Sequence, residues 1–323
     1  MKAMMLWGLN EPLKLTDWDW GMDLKDEEVE IDLKASALNH RDIWIQRGLY
    51  AGIVFPTILG SDGAGILNDK EVIINPSLFW GDSQRVQSSA FQVLGMPIHG
   101  TMAEKIRIRK EYVHPKPAHL NFEEAAALPL AGLTAYRALF KRGQVNTNDK
   151  VLIKGVGGGV ATLAFQFAVT SGCETWVTSS KDWKLEEAIN MGAKGSSNYT
   201  DRSWSKDLKK ASGGFDLIID SAGGDSFKDL ADLANPGGRI VIYGGTTGKI
   251  QNLSPQKIFW KQLSILGSTM GSPNDFTEML HFVNQHKFRP RVDEVFPLDK
   301  ANEALETLAS GKQFGKIVLS NQT

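Results

Sequence analysis

A glycine-rich stretch between an apolar run and a helical segment is the clearest candidate for ligand binding. The apolar run 151–153 is followed by four glycines within residues 155–159 and then by helical sequence. Glycines let the backbone turn sharply and approach a pyrophosphate, which the unpaired N–H groups of a helix N-terminus bind. Ala161 stands near the last glycine position of the usual pattern, and its methyl group still permits close packing. The pattern predicts a dinucleotide site, with a ligand-free tight turn as the alternative, at Gly157, Gly158, Gly159 and Val160.

Residues about twenty positions after this turn indicate which dinucleotide binds. NAD-selective sites place an acidic residue there, which accepts from the ribose 2′-hydroxyl. In this chain Ser179 and Ser180 occupy the place, and Lys184 follows closely. Hydroxyl donors and a cation suit the 2′-phosphate of NADP. We predict NADP; Asp182 counts against it, and a helix N-cap with solvated lysines is the alternative.

The elements that position these residues differ between the two parts of the chain. Before residue 121 the sequence has short alternating runs, as in 29–34, which predict an antiparallel, β-rich domain. Asn121 and Glu124 have the spacing of a capping box. After residue 150 continuous apolar runs alternate with helical stretches, which predicts a parallel sheet covered on both faces. These runs are 151–153, 175–178, 217–219, 240–243 and 265–266.

The order of these elements predicts an α/β fold class with two domains. A Rossmann doubly wound parallel sheet is expected at 126–285. The β-rich domain is expected at 1–125 and 286–323, because the strand-like run 316–319 is predicted to return to it. The Rossmann domain is therefore predicted to be an insertion.

The composition excludes several classes of function. The net charge of −1 over 323 residues argues against nucleic acid or a membrane surface as a partner. There is no run of about 18 apolar residues and no apolar core of a signal peptide, so a cytoplasmic protein is expected. Cys173 is the only cysteine, which rules out an intrachain disulfide and a thiolate metal cluster.

Six stretches carry a family resemblance by their order and spacing. They are 37–44, 59–65, 126–136, the glycine turn, 263–271 and 314–316. Together they resemble the medium-chain dehydrogenase/reductase superfamily, close to its zinc-type alcohol dehydrogenase-like and quinone oxidoreductase branches. The resemblance implies a GroES-like, distorted β-barrel domain, a Rossmann domain, a cleft between them and a small-molecule substrate. It also implies a homodimer that pairs through the last Rossmann strand, near 263–270.

The positions that hold the catalytic metal in zinc-dependent members of this family are altered. Those members carry a cysteine, a histidine and usually a second cysteine, and the matching residues here are Asn39, Ser61 and Leu130. Leucine has no lone pair, and asparagine and serine are poor zinc ligands. The four-cysteine structural zinc lobe is missing too. We therefore predict that no metal is bound.

A metal-free site favours reduction of an enone, an enal or a quinone over alcohol–ketone interconversion. Hydride adds to the β-carbon, and hydrogen-bond donors stabilise the resulting enolate. The resemblance implies that Asn39 donates to the substrate oxygen and that Tyr50 delivers a proton. Arg41 is expected to add positive charge, or else to pair with an acidic neighbour. A metal-free carbonyl reductase or alcohol dehydrogenase, and a non-catalytic NADPH-binding sensor or structural protein, are the alternatives.

The resemblance also extends the predicted cofactor site. Thr134 matches a position beside the nicotinamide, and Tyr199 matches one near the adenosine phosphate, although a core role for Tyr199 is an alternative. The segment 75–97 is left open between a substrate lid and a surface connection. The remaining predicted contacts are Ala222, Gly244, Gly245, Thr246, Phe314 and Lys316.

Overall fold

The computed structural model of the protein describes residues 1–21 and 23–321. The strands are β1 (Lys2–Leu6), β2 (Lys14–Asp17), β3 (Glu28–Ala37), β4 (Thr57–Ile58), β5 (Asp62–Leu67), β6 (Lys70–Ile74), β7 (Ser77–Leu78), β8 (Gln92–Val93), β9 (Lys105–Arg109), β10 (Val113–Pro115), β11 (Lys150–Ile153), β12 (Glu174–Ser179), β13 (Gly195–Asn198), β14 (Phe215–Asp220), β15 (Ala234–Ile242), β16 (Ser264–Gly267), β17 (Val292–Pro297) and β18 (Lys316–Ser320). The helices are α1 (His40–Gln46), α2 (Phe122–Ala126), α3 (Pro129–Tyr136), α4 (Gly159–Thr170), α5 (Asp182–Asn190), α6 (Trp204–Ser212), α7 (Phe227–Leu233), α8 (Pro255–Lys261), α9 (Pro273–His286) and α10 (Ala301–Ser310).

The chain divides into two compact units. The first is formed by the residues up to Leu133 and from Gly271 onward, and the second by Thr134–Met270. The expected limits were 1–125 with 286–323 and 126–285, so helix α9 falls on the other side of the boundary from its predicted place. The reason is its packing: the Phe276 ring of α9 lies 4.9 Å from the His114 ring of β10, which belongs to the first unit.

The first unit is built on a mixed seven-stranded sheet. Its strands follow the order β10-β6-β5-β3-β18-β17, and β9 pairs with β3. Strand β18 lies beside β3, which confirms that the last strand returns to the β-rich part of the chain. Ala37, the last residue of β3, is opposite Asp62 in β5 and Val318 in β18. The residues that adjoin these three strand ends therefore meet at one edge of the sheet.

The second unit is the predicted Rossmann sheet. Six parallel strands follow the order β13-β12-β11-β14-β15-β16, which is the 3-2-1-4-5-6 order of dinucleotide-binding folds. Strand β13 lies at the edge and its residues are half-buried, so no apolar run marks it in the sequence.

Within the described part of the chain, no helix combines the length and the apolar character needed to cross a membrane.

Candidate active site

A buried polar network lies at the edge of the seven-stranded sheet. The ammonium of Lys316 donates to the Leu38 carbonyl oxygen and to Asn39 Oδ1, each at 2.7 Å. It also forms an ion pair with Asp62 Oδ2 at 2.9 Å. The Asn39 amide nitrogen donates to the same Asp62 oxygen at 2.9 Å. Asp62 Oδ1 accepts from the Leu130 backbone N–H at 2.7 Å, so Asp62 links the network to the start of α3.

Arg41 is held by neutral oxygen atoms next to this network. Its Nη1 donates to Ser61 Oγ at 2.8 Å and to the Leu94 carbonyl oxygen at 2.7 Å. Within residues 1–21 and 23–321 Arg41 forms no ion pair. The alternative that it pairs with an acidic neighbour is therefore wrong. These two hydrogen bonds engage Nη1 within the protein, and the expected role of Arg41 toward a substrate stays a prediction. The guanidinium carbon lies 5.3 Å from the ring centroid of Tyr50, whose exposed fraction is 38%.

Asp42 holds the backbone around Asn39. Asp42 Oδ2 accepts from the Asn39 backbone N–H at 2.8 Å, and Oδ1 accepts from that of Gly60 at 3.3 Å. The side chain therefore caps helix α1. Burial raises the pKa of Asp42 to about 6, although Arg41 and the hydrogen bond from Asn39 oppose the shift.

Asp42 should make the protein less stable as the pH rises from about 4 to about 6. In this range the folded protein keeps the Asp42 proton that the unfolded chain releases. The change of pKa from 3.8 to about 6 corresponds to about 3 kcal/mol. Because Asp42→Asn cannot titrate, the unfolding free energy of the wild type relative to this variant is expected to fall by that amount. Denaturant titrations at several pH values measure the difference, and a constant difference would contradict the pKa shift.

In the second unit, two threonines hold the glycine turn between β11 and α4. The backbone N–H of Gly155 donates to Thr178 Oγ1, and that of Gly157 donates to Thr162 Oγ1, each at 3.2 Å. Gly157 has a φ of 120°, which side-chain-bearing residues rarely adopt. The turn is therefore held in shape by contacts within its own unit.

Gly158 has a backbone conformation that residues with a side chain also adopt. It is the N-cap of α4, its φ is −76°, and a Cβ added to it would meet no atom within 4 Å. Close approach of a ligand explains a glycine at such a position. Among the described residues no side chain caps α4, and its first turn contains no acidic residue, so the N–H groups there suit an anion.

The end of β12 carries the residues predicted to select the dinucleotide. Ser179 is buried and Ser180 is half-buried. Lys184 packs against the glycine turn, since a Cβ added to Gly157 would lie 2.8 Å from Lys184 Nζ. Asp182, which counted against NADP, accepts from Asn198 Nδ2 at 2.7 Å and is thereby engaged within the unit.

Other predicted cofactor contacts follow the neighbouring parallel strands, whose carboxyl ends meet at the same sheet edge. The backbone N–H of Tyr199, directly after β13, donates to the Ser179 carbonyl oxygen at 3.1 Å. Thr247 Oγ1 donates to the Ala222 carbonyl oxygen at 2.9 Å, which joins the loops after β14 and β15. These loops contain Ala222, Gly244, Gly245 and Thr246. Thr134 does not belong to this group; it lies in α3 and donates to Met270 Sδ at 3.7 Å.

Phe314 and Lys316, two of the predicted cofactor contacts, belong to the first unit. The ring of Phe314 is fully buried and therefore presents no surface to a ligand. All three N–H donors of the Lys316 ammonium are used within the network around Asp62. A buried ammonium needs such partners, because an unpaired charge would be costly in the interior. The side chains of Phe314 and Lys316 are thus engaged within the first unit, and a contact between this turn and the cofactor stays a prediction.

Several residues of the polar network in the first unit, and of the contacts around the glycine turn in the second unit, were not predicted. Asp62 follows Ser61 within a glycine-rich apolar stretch, and a carboxylate in such surroundings is itself a signal for a buried partner. Lys154 directly follows the apolar run of β11, and Asp220 is the last residue of β14. The two side chains form a buried ion pair at 3.2 Å. Thr178 had no signal beyond its place in a strand.

The segment 75–97 is anchored at several points of the first unit. Ser77 Oγ donates to the Gly271 carbonyl oxygen at 2.6 Å, and Leu94 accepts from Arg41 and Ser61. The ring of Trp80, which is 2% exposed, lies 5.4 Å from the Phe91 ring. These contacts argue against a lid that opens as one piece.

Known proteins match both units. Residues 25–118 match the family described as alcohol dehydrogenase GroES-like domain, and residues 159–285 match zinc-binding dehydrogenase. The zinc-type alcohol dehydrogenase-like protein YogA of Leptosphaeria maculans is 35% identical over 323 residues, with 90% of each chain covered.

Solved structures extend this likeness over almost the whole chain. A crystal structure of an NAD-dependent alcohol dehydrogenase is 35% identical, with a TM-score of 0.92 and 99% of both chains covered. The quinone oxidoreductase from Thermus thermophilus, also solved in complex with NADPH, is 27% identical, with a TM-score of 0.83 and coverage of 99% of this chain and 100% of that one. These likenesses support a nicotinamide cofactor. The chain thus belongs to the medium-chain dehydrogenase/reductase superfamily and is one of its oxidoreductases.

Proposed function

We propose that the protein is a zinc-independent reductase that uses NADPH to reduce a small enone, enal or quinone. The observation that carries this proposal is the network of Asn39, Asp62 and Lys316. By the family resemblance Asn39 matches a metal ligand of zinc-dependent members, and the buried Lys316 ammonium lies 2.7 Å from its Oδ1. The substrate oxygen would then be stabilised by a hydrogen-bond donor, which suits a reaction whose negative charge is delocalised in an enolate.

The residues at the positions of the metal ligands do not fit zinc. Leu130 offers no donor atom, and Asn39 Oδ1 already accepts from the Lys316 ammonium at 2.7 Å. Ser61 Oγ lies 2.8 Å from an Arg41 nitrogen. Two positive charges at these atoms would repel a divalent cation. Among the residues that the structure describes, no group of three or more His, Cys, Asp or Glu side chains could hold a metal.

The residues of the second unit fit NADPH. Gly158 and the first turn of α4 would hold the diphosphate, because both offer backbone N–H groups without a side chain in the way. Ser179, Ser180 and Lys184 would bind the 2′-phosphate, which needs hydrogen-bond donors and positive charge. The cofactor, when bound, supplies the hydride.

The first unit would supply the groups that act on the substrate. Asn39 would donate an N–H to the oxygen that gains negative charge. Tyr50 would deliver the proton, and its exposed fraction of 38% leaves its side chain accessible. Arg41 acts through Tyr50, because a guanidinium 5.3 Å from the ring centroid holds the ring by a cation–π contact.

A pair of matched acceptors tests this function. Purified protein with NADPH and a chelator is mixed with trans-2-hexenal or with hexanal, which differ only by the conjugated double bond. We expect NADPH consumption with hexenal and with simple enones or quinones, and very little with hexanal. Gas chromatography against standards should identify the product of hexenal as hexanal and not as its isomer 2-hexen-1-ol, since hydride is expected at the β-carbon.

The other outcomes would select the alternatives. Reduction of hexanal but of no conjugated acceptor would show a carbonyl reductase. Activity that is lost with the chelator and restored by zinc would overturn the metal-free site. Tight binding of NADPH without turnover of any acceptor would show a non-catalytic cofactor-binding protein.

The expected homodimer remains a prediction. In the described part of the chain β16 is the outer strand of the Rossmann sheet, and Phe259 and Trp260 on helix α8 are 52% and 78% exposed. An unpaired strand edge beside exposed aromatic rings supports pairing there. Light scattering of the purified protein would measure its mass.

A further inference from the structure

We propose that Lys316 and Asp62 are positioning residues that fix which end of the Asn39 amide faces the substrate. The inference rests on the proposed role of Asn39 as the donor to the substrate oxygen. It assigns a function to an ion pair whose lysine had been expected to contact the cofactor.

The chemistry of the two partners determines the orientation of the amide. A lysine ammonium can only donate, so the amide atom 2.7 Å from Lys316 is the oxygen. An ionised carboxylate can only accept, so the amide atom 2.9 Å from Asp62 is the nitrogen. The reversed amide would direct its oxygen at the carboxylate and its NH2 at the ammonium. Both contacts would then be repulsive.

The same contacts leave one donor of Asn39 for a ligand. The amide nitrogen carries two N–H groups, and Asp62 takes one of them. In the described residues this nitrogen has no other hydrogen-bond acceptor. Lys316, in contrast, has three N–H groups and three acceptors, at 2.7, 2.7 and 2.9 Å. The lysine is therefore fully engaged, while Asn39 keeps a directed N–H.

The backbone holds this arrangement in place. Asn39 is the N-cap of α1, with φ −134° and ψ 153°, and its backbone N–H donates to Asp42. Asp62 and Lys316 are the first residues of β5 and β18, the two strands on either side of β3. The pairing of three strands therefore fixes the distances between the three side chains.

A neutral double variant, Asp62→Asn with Lys316→Met, reverses the polarity around Asn39. The new amide can accept from the Leu130 N–H with its oxygen and then directs its N–H groups at Asn39. The Asn39 amide has to turn round to accept them. With an enone we expect kcat to fall by about 100-fold, with little change in KM, because the lost contact acts mainly in the transition state. The affinity for NADPH should not change.

A mutant cycle with Asn39→Leu shows whether the pair acts through Asn39. If it does, the triple variant is no slower than Asn39→Leu alone, because the effects of the two changes are not additive. Lys116→Met is the matched control, since the Lys116 side chain is also 2% exposed and pairs with Glu71 at 3.1 Å. This control should lose stability but keep its kcat.

A spectroscopic measurement separates this inference from the proposed function. The Asn39 side-chain amide can be identified in 1H–15N spectra by its loss in Asn39→Leu. In the double variant we expect a changed shift and faster hydrogen exchange of this amide, even if no acceptor is found. An unchanged amide, a triple variant whose losses multiply, or weaker NADPH binding in the double variant would each overturn the positioning role.

Discussion

Replacing Asn39 with leucine is expected to lower kcat for enone reduction by roughly 10²- to 10³-fold, the usual cost of removing one donor to a developing oxyanion. Leucine has a similar size but no N–H, so the substrate oxygen loses its hydrogen bond while the pocket keeps its volume. The affinity for NADPH should be unchanged, because Asn39 lies in the first unit and the expected cofactor groups lie in the second. Steady-state kinetics and a fluorescence titration with NADPH measure the two quantities.

A second asparagine provides the control for the loss of an amide. Asn302 uses both ends of its side chain, accepting from the Leu13 N–H at 2.8 Å and donating to the Leu13 carbonyl oxygen at 2.9 Å. Asn302→Leu should therefore destabilise the fold without lowering the kcat of the folded fraction. Equal losses of kcat in the two variants would mean that Asn39 has only a structural role.

Lys184→Ala is expected to weaken NADPH binding by roughly 10- to 100-fold and to leave NADH binding almost unchanged. A charge-assisted hydrogen bond to a phosphate contributes about 1.5–3 kcal/mol, which corresponds to this range. Lys184 packs against Gly157, and a 2′-phosphate next to the glycine turn would lie within its reach. Titrations of both nucleotides at one fixed salt concentration measure the two dissociation constants.

Lys194 is a matched control in the same unit. It is exposed and directly precedes the amino-terminal end of β13, so Lys194→Ala removes one positive charge from the unit without changing the carboxyl ends of the strands. Its effect on both nucleotides should be small. If Lys184→Ala weakens NADH and NADPH equally, the lysine contacts a part that the two nucleotides share, and the argument for NADP is lost.

Much of the second unit could be predicted because its signals are local. The central strands have continuous apolar runs, such as 151–153 and 217–219, since both faces of a parallel sheet are buried. The glycine turn follows the first of these strands directly. Strand β13 has no such run because it lies at the edge of the sheet. The packing of α9 against the first unit could not be predicted, because a helix does not reveal in its own sequence which unit it contacts.

The polar network of the first unit could not be predicted, because its residues are far apart in the sequence. Asn39 was found through the family resemblance, but its partner Lys316 is 277 positions away in the chain. No local pattern connects two residues at this distance; the pairing of β3 with β18 does so. The hydrogen bond from Arg41 to the Leu94 carbonyl could not be predicted for the same reason, because Leu94 comes from a separate segment.

The amino-acid sequence by itself determined the alternation of strands and helices in the Rossmann unit, the glycine turn and the lack of zinc-type side chains at positions 39, 61 and 130. These properties depend on residue types and short spacings, which are visible along the chain. Only the tertiary structure decided that Lys316 pairs with Asp62 and that the Asn39 amide has one orientation. Hydrogen bonds between distant strands have direction, and direction is defined only once the strands are paired.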